Sequence, residues 1–196
     1  MKKILIPTIL IVTAINLFAG EFARLKTDAE GGNSNAQANL ALLYEEGKET
    51  AKNPQKALEW AQKAADQNDP YGQRVLGNLY SNGTVKKDIP KAIEFLTKAA
   101  AQDDGSAVIT LHSLNRQGEG PAITTPEGLE WNYLWLNVNL ELAKIAKIKT
   151  GATIAMEAKV KAIKAKLPEE TEQKIIATSQ KYTEKLQGIK AKPFLK

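Results

Sequence analysis

The chain has no cysteine, which removes disulfides and thiolate-bound metals as ways of holding a fold together. That absence leaves the compartment open, since exported proteins can do without disulfides. Histidine occurs once, at His112, so a histidine-based catalytic base rests on a single residue, and zinc typically asks for three or four protein ligands. A phosphate loop is missing as well. Gly118-Glu119-Gly120 follows a helical pattern, precedes Pro121 and carries no P-loop lysine. The carboxylate pairs Glu45–Glu46, Asp103–Asp104 and Glu169–Glu170 are sequence neighbours, and neighbours do not share a helical face, so paired acid–base work has no support. No catalytic residue, metal ligand or cofactor is assigned. The chain is expected not to be an enzyme.

A run long enough to stay in a bilayer is lacking too. Lys2 and Lys3 precede ILIPTILIVTAINLF, about fifteen residues against the ~20 a spanning helix needs. A basic start, a short apolar stretch and small residues at its end describe a secretory signal peptide over residues 1–19, with cleavage expected after Ala19. The mature protein is then expected to be periplasmic or secreted, without a transmembrane span. Charge is unevenly spread. Residues 20–140 carry 12 basic against 16 acidic side chains, a net of −4, whereas residues 141–196 carry 13 against 6, a net of +7. A pI near 9.2 would ordinarily raise nucleic acid as a partner, but export argues against it. The basic tail is instead expected to face anionic surfaces in weak contact, whether lipid, an acidic partner, or the acidic body of its own protein.

What the chain does contain is the same phrase twice. Residues 56–65 are KALEWAQKAA and residues 91–100 are KAIEFLTKAA, thirty-five positions later. Leu58/Ile93 and Trp60/Phe95 exchange one bulky apolar group for another. A second signature precedes each copy: Ala36, Leu40, Ala41, Tyr44 and Gly47 recur as Gly72, Leu76, Gly77, Tyr80 and Gly83. With two substitutions they recur again as Ala107, Leu111, His112, Asn115 and Gly118. Each set puts small, large, small and aromatic residues on one helical stripe, closed by the glycine that commonly follows a helix. The loops GKETAKNP and GTVKKDIP end in a proline suited to the first turn of the next helix. That helix carries Ala57, Trp60, Ala64 or Ala92, Phe95, Ala99 on one stripe. Self-similarity at this period predicts stacked helical hairpins. The alanines let paired helices approach to the short end of the ~8–10 Å range, and Trp60 and Phe95 are expected to fill the space between hairpins. The fold class is therefore all-α, an α-solenoid of antiparallel helix pairs.

The combined pattern, small-xxx-Leu-Gly-xx-Tyr-xx-Gly, a loop, then Lys-Ala-xx-Trp-xx-Lys-Ala-Ala, resembles the Sel-one-like repeat family, a relative of the tetratricopeptide repeat. The resemblance covers roughly residues 21–140. It implies a partial repeat over 20–35, repeats over 36–70 and 71–106, a degenerate third over 107–150, and a basic helical cap over 151–196. In the third unit His112 stands where Gly or Ala is expected and Asn115 replaces Tyr. Its second helix has two registers, one using Trp131 and one Trp135, the latter closer to terminal repeats of the family. A helix from Pro126 to Lys149 is expected to stop at Gly151. A helix over 153–166 follows, with Met156, Val160, Ile163 and Leu167 on one face, and a last one with Ile175, Ser179, Tyr182 and Leu186.

By position, the groove of the related tetratricopeptide fold implies three trios of partner-binding residues. They are Ala38, Leu42, Glu45; Arg74, Asn78, Ser81; and Ile109, Ser113, Arg116. The function this implies is binding of a protein or peptide partner in the cell envelope, with no chemistry of its own. A narrower expectation is a periplasmic immunity protein that neutralises a delivered toxin. A rival of another class, a cell-wall or β-lactam-active hydrolase, lacks the nucleophile with an activating base that it would need.

Overall fold

The computed structural model describes residues 22–121 and 126–191, and the leader expected over residues 1–19 lies outside them. The described residues form helices and no strand. In chain order these are α1 (22–30), α2 (Ser34–Glu46), α3 (Pro54–Asp66), α4 (Pro70–Asn82), α5 (Ile89–Ala101), α6 (Gly105–Arg116), α7 (Pro126–Ile145), α8 (Gly151–Lys164) and α9 (Glu169–Ala191). They divide after Gln102 into two compact units.

Local chemistry sets the helix ends. Asn33, Asn53, Asp69, Asp88 and Asp104 cap α2 to α6, each side chain accepting a hydrogen bond from a backbone N–H in the first turn. Such a cap is worth about 1 kcal/mol. Gly47 and Gly83 end α2 and α4 at φ 73° and 78°, the left-handed region that glycine enters without steric cost.

In the first unit α2 packs on α3, α3 on α4 and α4 on α5, with α2 beside α4. The contacts run through small residues. Ala57, Ala61, Ala64, Ala92 and Ala99 are fully buried, as are Leu40, Leu76 and Leu79. Gly72 lies so close to α3 that a Cβ added there would stand 2.7 Å from the Ala64 carbonyl carbon, and one on Gly77 would stand 2.7 Å from Leu96 Cγ. Trp60 and Phe95 sit at the margin of this interior, partly buried, each under the ammonium group of the lysine three residues on (Lys63 at 3.9 Å, Lys98 at 5.1 Å). Both pack against the alanine-lined core, and Phe95 stacks on Tyr80 with ring centroids 6.3 Å apart.

A polar ladder runs through the same unit. Gln67 Nε2 donates to Gln37 Oε1 at 2.7 Å, and Gln37 Nε2 donates to the Ala29 carbonyl at 3.0 Å. One repeat later Gln102 Nε2 donates to Gln73 Oε1 at 2.9 Å, and Gln73 Nε2 donates to Asn68 Oδ1 at 2.8 Å. Gln37 and Gln73 are buried, and a buried amide left unpaired would cost about 1–3 kcal/mol.

The second unit is built on bulk. α7 packs against α8 and α9, and α6 against α9. Trp135 is 1% exposed, with ring centroids 5.5 Å from His112, 5.6 Å from Trp131 and 5.7 Å from Tyr182. Both tryptophan registers are thus used at once: Trp131 and Trp135 are one turn apart on a single buried face. Ile175, Ser179, Tyr182 and Leu186 are all buried, and burial pushes the Tyr182 phenol up to about 12. Of the expected face on α8, Ile163 is buried and Met156 and Val160 lie at the margin, with Leu167 half-buried just past the helix end. Glu172, also buried, accepts from Lys164 Nζ at 2.7 Å and from the Tyr133 hydroxyl at 3.3 Å, which ties α8 and α9 to α7.

The expected run of α7 to Lys149 and its stop at Gly151 are corrected. α7 ends at Ile145, where Lys147 turns left-handed (φ 53°) and the N–H of Ile148 reaches back to the Ala143 carbonyl at 2.9 Å. Gly151 opens α8 instead, because Thr150 and Thr153 form a reciprocal capping box there.

Candidate protein-interaction surface

Two of the three expected trios lie in the first unit, on α2 and α4. Leu42 and Asn78 hold the same repeat position on these neighbouring helices, as do Ala38 and Arg74, and Glu45 and Ser81. Cross-repeat hydrogen bonds fix how the two helices lie. Near their N-terminal ends the Tyr71 hydroxyl donates to Asn39 Oδ1 at 2.7 Å, and the Ser34 hydroxyl donates to Asp69. At the other end Glu45 Oε1 accepts from Asn82 Nδ2 at 2.7 Å and from the Thr84 hydroxyl at 2.8 Å. Glu45 is therefore committed to joining α2 to the turn after α4.

Ala38 is fully buried and offers nothing to a ligand. Leu42, Arg74, Asn78 and Ser81 are half-buried. The Arg74 guanidinium lies over the Tyr71 ring at 4.9 Å, and the Ser81 hydroxyl donates to the Asn78 carbonyl at 3.0 Å. Asn78 stands apart from both. Its Oδ1 is buried and has no hydrogen-bond partner among the described residues. Beside Leu42, an open depression of about 370 Å³ lies between α1 and α2, floored by Phe22, Leu25, Leu42 and Leu43 and edged by Asn39, Glu46 and Glu49.

Sequence spacing did not single out Phe22, Leu25, Asn39 or Tyr71. Asn39 lies one place from Ala38 and Tyr71 three places before Arg74, at positions whose repeat counterparts Val75 and Asn35 differ in chemistry. Phe22 and Leu25 belong to a helix with no complete repeat motif to align. The only available signal was their i, i+3 apolar spacing.

The third trio lies in the second unit, on α6. Ser113 and Arg116 are exposed, as is Ile109, and the Ser113 hydroxyl accepts from Gln117 Nε2 at 3.0 Å. His112 is half-buried on the same helix, 2.9 Å from Asn139 Oδ1. Asn139 donates its own amide to the Trp135 carbonyl at 2.7 Å, so its oxygen faces the imidazole and His112 Nε2 carries the proton. This is a packing role. Among the described residues no group of three or more His, Cys, Asp or Glu could hold a metal ion, and no helix is long and apolar enough to cross a membrane.

Comparison with known proteins finds similarity to a known repeat over part of the chain. The Sel1 repeat model matches residues 34–69 and 70–104. A putative sel1-like repeat-containing protein, L18 of Acanthamoeba polyphaga mimivirus, is 50% identical over 48 residues, which is 24% of this chain and 8% of that protein. The match thus spans under a tenth of the relative's length. Among solved structures, a protective antigen of uropathogenic Escherichia coli strains displaying an SLR fold is similar over 89% of this chain and 52% of its own, at 23% identity and TM-score 0.49. A Sel1 repeat protein from Oxalobacter formigenes is similar over 83% of each chain, at 21% identity and TM-score 0.48.

Proposed function

Because residues 34–104 make this chain a member of the Sel1 repeat family, whose repeats generally mediate protein–protein interaction, we propose that it is an exported, non-enzymatic module that grips a peptide segment of an envelope protein across α2 and α4. The observation that carries this reading is the Asn78 amide. A side-chain amide offers one acceptor and two donors, the complement of a peptide group. Here its oxygen goes unpaired inside the protein at a cost of about 1–3 kcal/mol. A rotation that turned that oxygen outward would present it to a peptide N–H, and the apolar depression beside Leu42 would receive a neighbouring side chain. Export is supported by the basic, then apolar, then small-residue order of residues 1–19.

The test is capture from envelope extracts followed by affinity measurement with Asn78→Ala and Leu42→Glu. Asn78→Ala is expected to weaken the captured partner about tenfold while leaving stability to urea unchanged or raised by up to about 1 kcal/mol, since an unpaired buried oxygen is removed. Undiminished affinity in both variants, with helicity intact, rules out this surface. Capture of a small toxic enzyme would narrow the function to immunity.

A further inference from the structure

The elbow between α7 and α8 leaves uncovered what other parts of the chain bury. Among the described residues four large apolar side chains stand exposed. Ile109 is alone on α6, and the other three, Ile145, Ile148 and Ile154, lie within ten residues at this elbow, each more than half exposed. Beside them is an open depression of about 350 Å³ whose floor includes Leu140, Ala143, Ile148 and Ile154. Lys147 and Lys149 stand on its rim, and among the described residues neither forms an ion pair. Lys144 is satisfied by Glu141 at 2.6 Å, and Glu157 is the one acidic group on the rim. The elbow opens the part of the chain that carries net +7.

Backbone geometry holds these groups outward. Lys147 N–H bonds the Lys144 carbonyl and Ile148 N–H bonds the Ala143 carbonyl, a Schellman ending with lysine in the left-handed position that favours glycine. The residue in Ile148's place usually folds back onto the helix; here it is 53% exposed. The fold itself makes no use of this arrangement of aliphatic tips and cations.

We propose that the α7–α8 elbow docks the chain onto an anionic phospholipid surface. Ile145, Ile148 and Ile154 enter the boundary between headgroups and acyl chains, while Lys147 and Lys149 lie among the lipid phosphates. An anionic leaflet meets both needs at one depth: it takes apolar tips without a shaped pocket and supplies negative charge all around them. Isoleucine at such a tip partitions shallowly, so the attachment is reversible and depends on the lysines.

The absence of cysteine permits a direct test in the full chain. Ile154→Cys carries an environment-sensitive fluorophore at the elbow, and exposed Thr97→Cys carries it in the first unit as a reference. The N-terminal apolar run is common to both. Phosphatidylglycerol vesicles are expected to shift the elbow label to the blue and leave the reference label unmoved, and phosphatidylcholine vesicles to shift neither. Each lysine at an anionic surface contributes about fivefold, so Lys147→Ala with Lys149→Ala raises the lipid concentration for half-maximal shift about thirtyfold. Salt at about 0.5 M, where screening shortens to a few ångströms, acts in the same direction. An equal shift with neutral vesicles, an elbow label unmoved by anionic ones, or a shift indifferent to loss of both lysines overturns the proposal. A shift produced by an acidic polypeptide but by no vesicle overturns it too, and assigns the face to a protein.

Discussion

Residues 77 and 112 hold the same place in successive helical hairpins, one in each unit, and they are a glycine and a histidine. At Gly77 α4 and α5 approach closely: a Cβ added there would meet the Leu96 side chain at 2.7 Å and the Ala92 carbonyl oxygen at 3.2 Å. At His112 an imidazole projects instead. It lies tilted against Trp135 and hydrogen-bonds Asn139, so α6 meets α7 through long side chains, while α6 packs against α9. A helix followed by a helix does not define an architecture. The volume of one contact residue decides whether the next helix lies flush or is held off, and a held-off helix needs aromatic bulk to fill the gap.

If bulk holds the second unit together, its removal should be the most damaging change available. Trp135→Ala is expected to cost about 3–5 kcal/mol by chemical denaturation, while Trp135→Phe, which also deletes an indole N–H that has no partner among the described residues, should cost far less. Equal losses would mean that aromatic volume is not what matters there. Exchanging the paired residues comes next. Gly77→His should destabilise by about 3 kcal/mol, because a side chain is forced into a closed contact, and His112→Gly by about 2 kcal/mol, because one is removed from a filled contact. A Gly77→His protein that unfolds at the same denaturant concentration as the parent would refute the close-approach argument.

The smallest expected effect concerns the start of α6. Asp103, left-handed at φ 71°, accepts from Lys181 Nζ at 2.9 Å and Lys185 Nζ at 3.0 Å, and these contacts, with Lys181 first, hold its carboxyl below the ordinary 3.8. A depressed acid stabilises the folded state at pH above its unfolded value. That contribution fades as pH falls through 3.8 and is gone below the folded value. The group is exposed, so the effect is modest and screened by salt. Acid unfolding of Asp103→Asn should show a shallower dependence over that range; a superimposable profile would discount the contact.

How much of this was legible beforehand differs between the two units for a physical reason. In the first, local signals and tertiary packing agree. Caps, prolines, glycines and the alanine stripe each repeat, so the hairpins followed from spacing alone. Glu45 did not follow, because the groove argument placed it by analogy while its partners Asn82 and Thr84 sit off the motif. The glutamine ladder escaped notice although Gln37 and Gln73 are 36 positions apart, since periodicity arguments weigh apolar residues and pass over polar ones. In the second unit the stripes of α8 and α9 were legible as faces, but their partners were not. The end of α7 was missed because Lys147 takes a conformation for which its residue type gives no cue, and the sequence marked Gly151 as the stop.

The glutamine pairs have a consequence for how such a molecule can grow. Each pair lies within one block, Gln67 on Gln37 and Gln102 on Gln73, and Gln73 then donates to Asn68 of the block before it. An in-frame copy of residues 34–69 would therefore arrive with its rungs already cut to fit, and the array could lengthen by genetic accident without any accompanying repair.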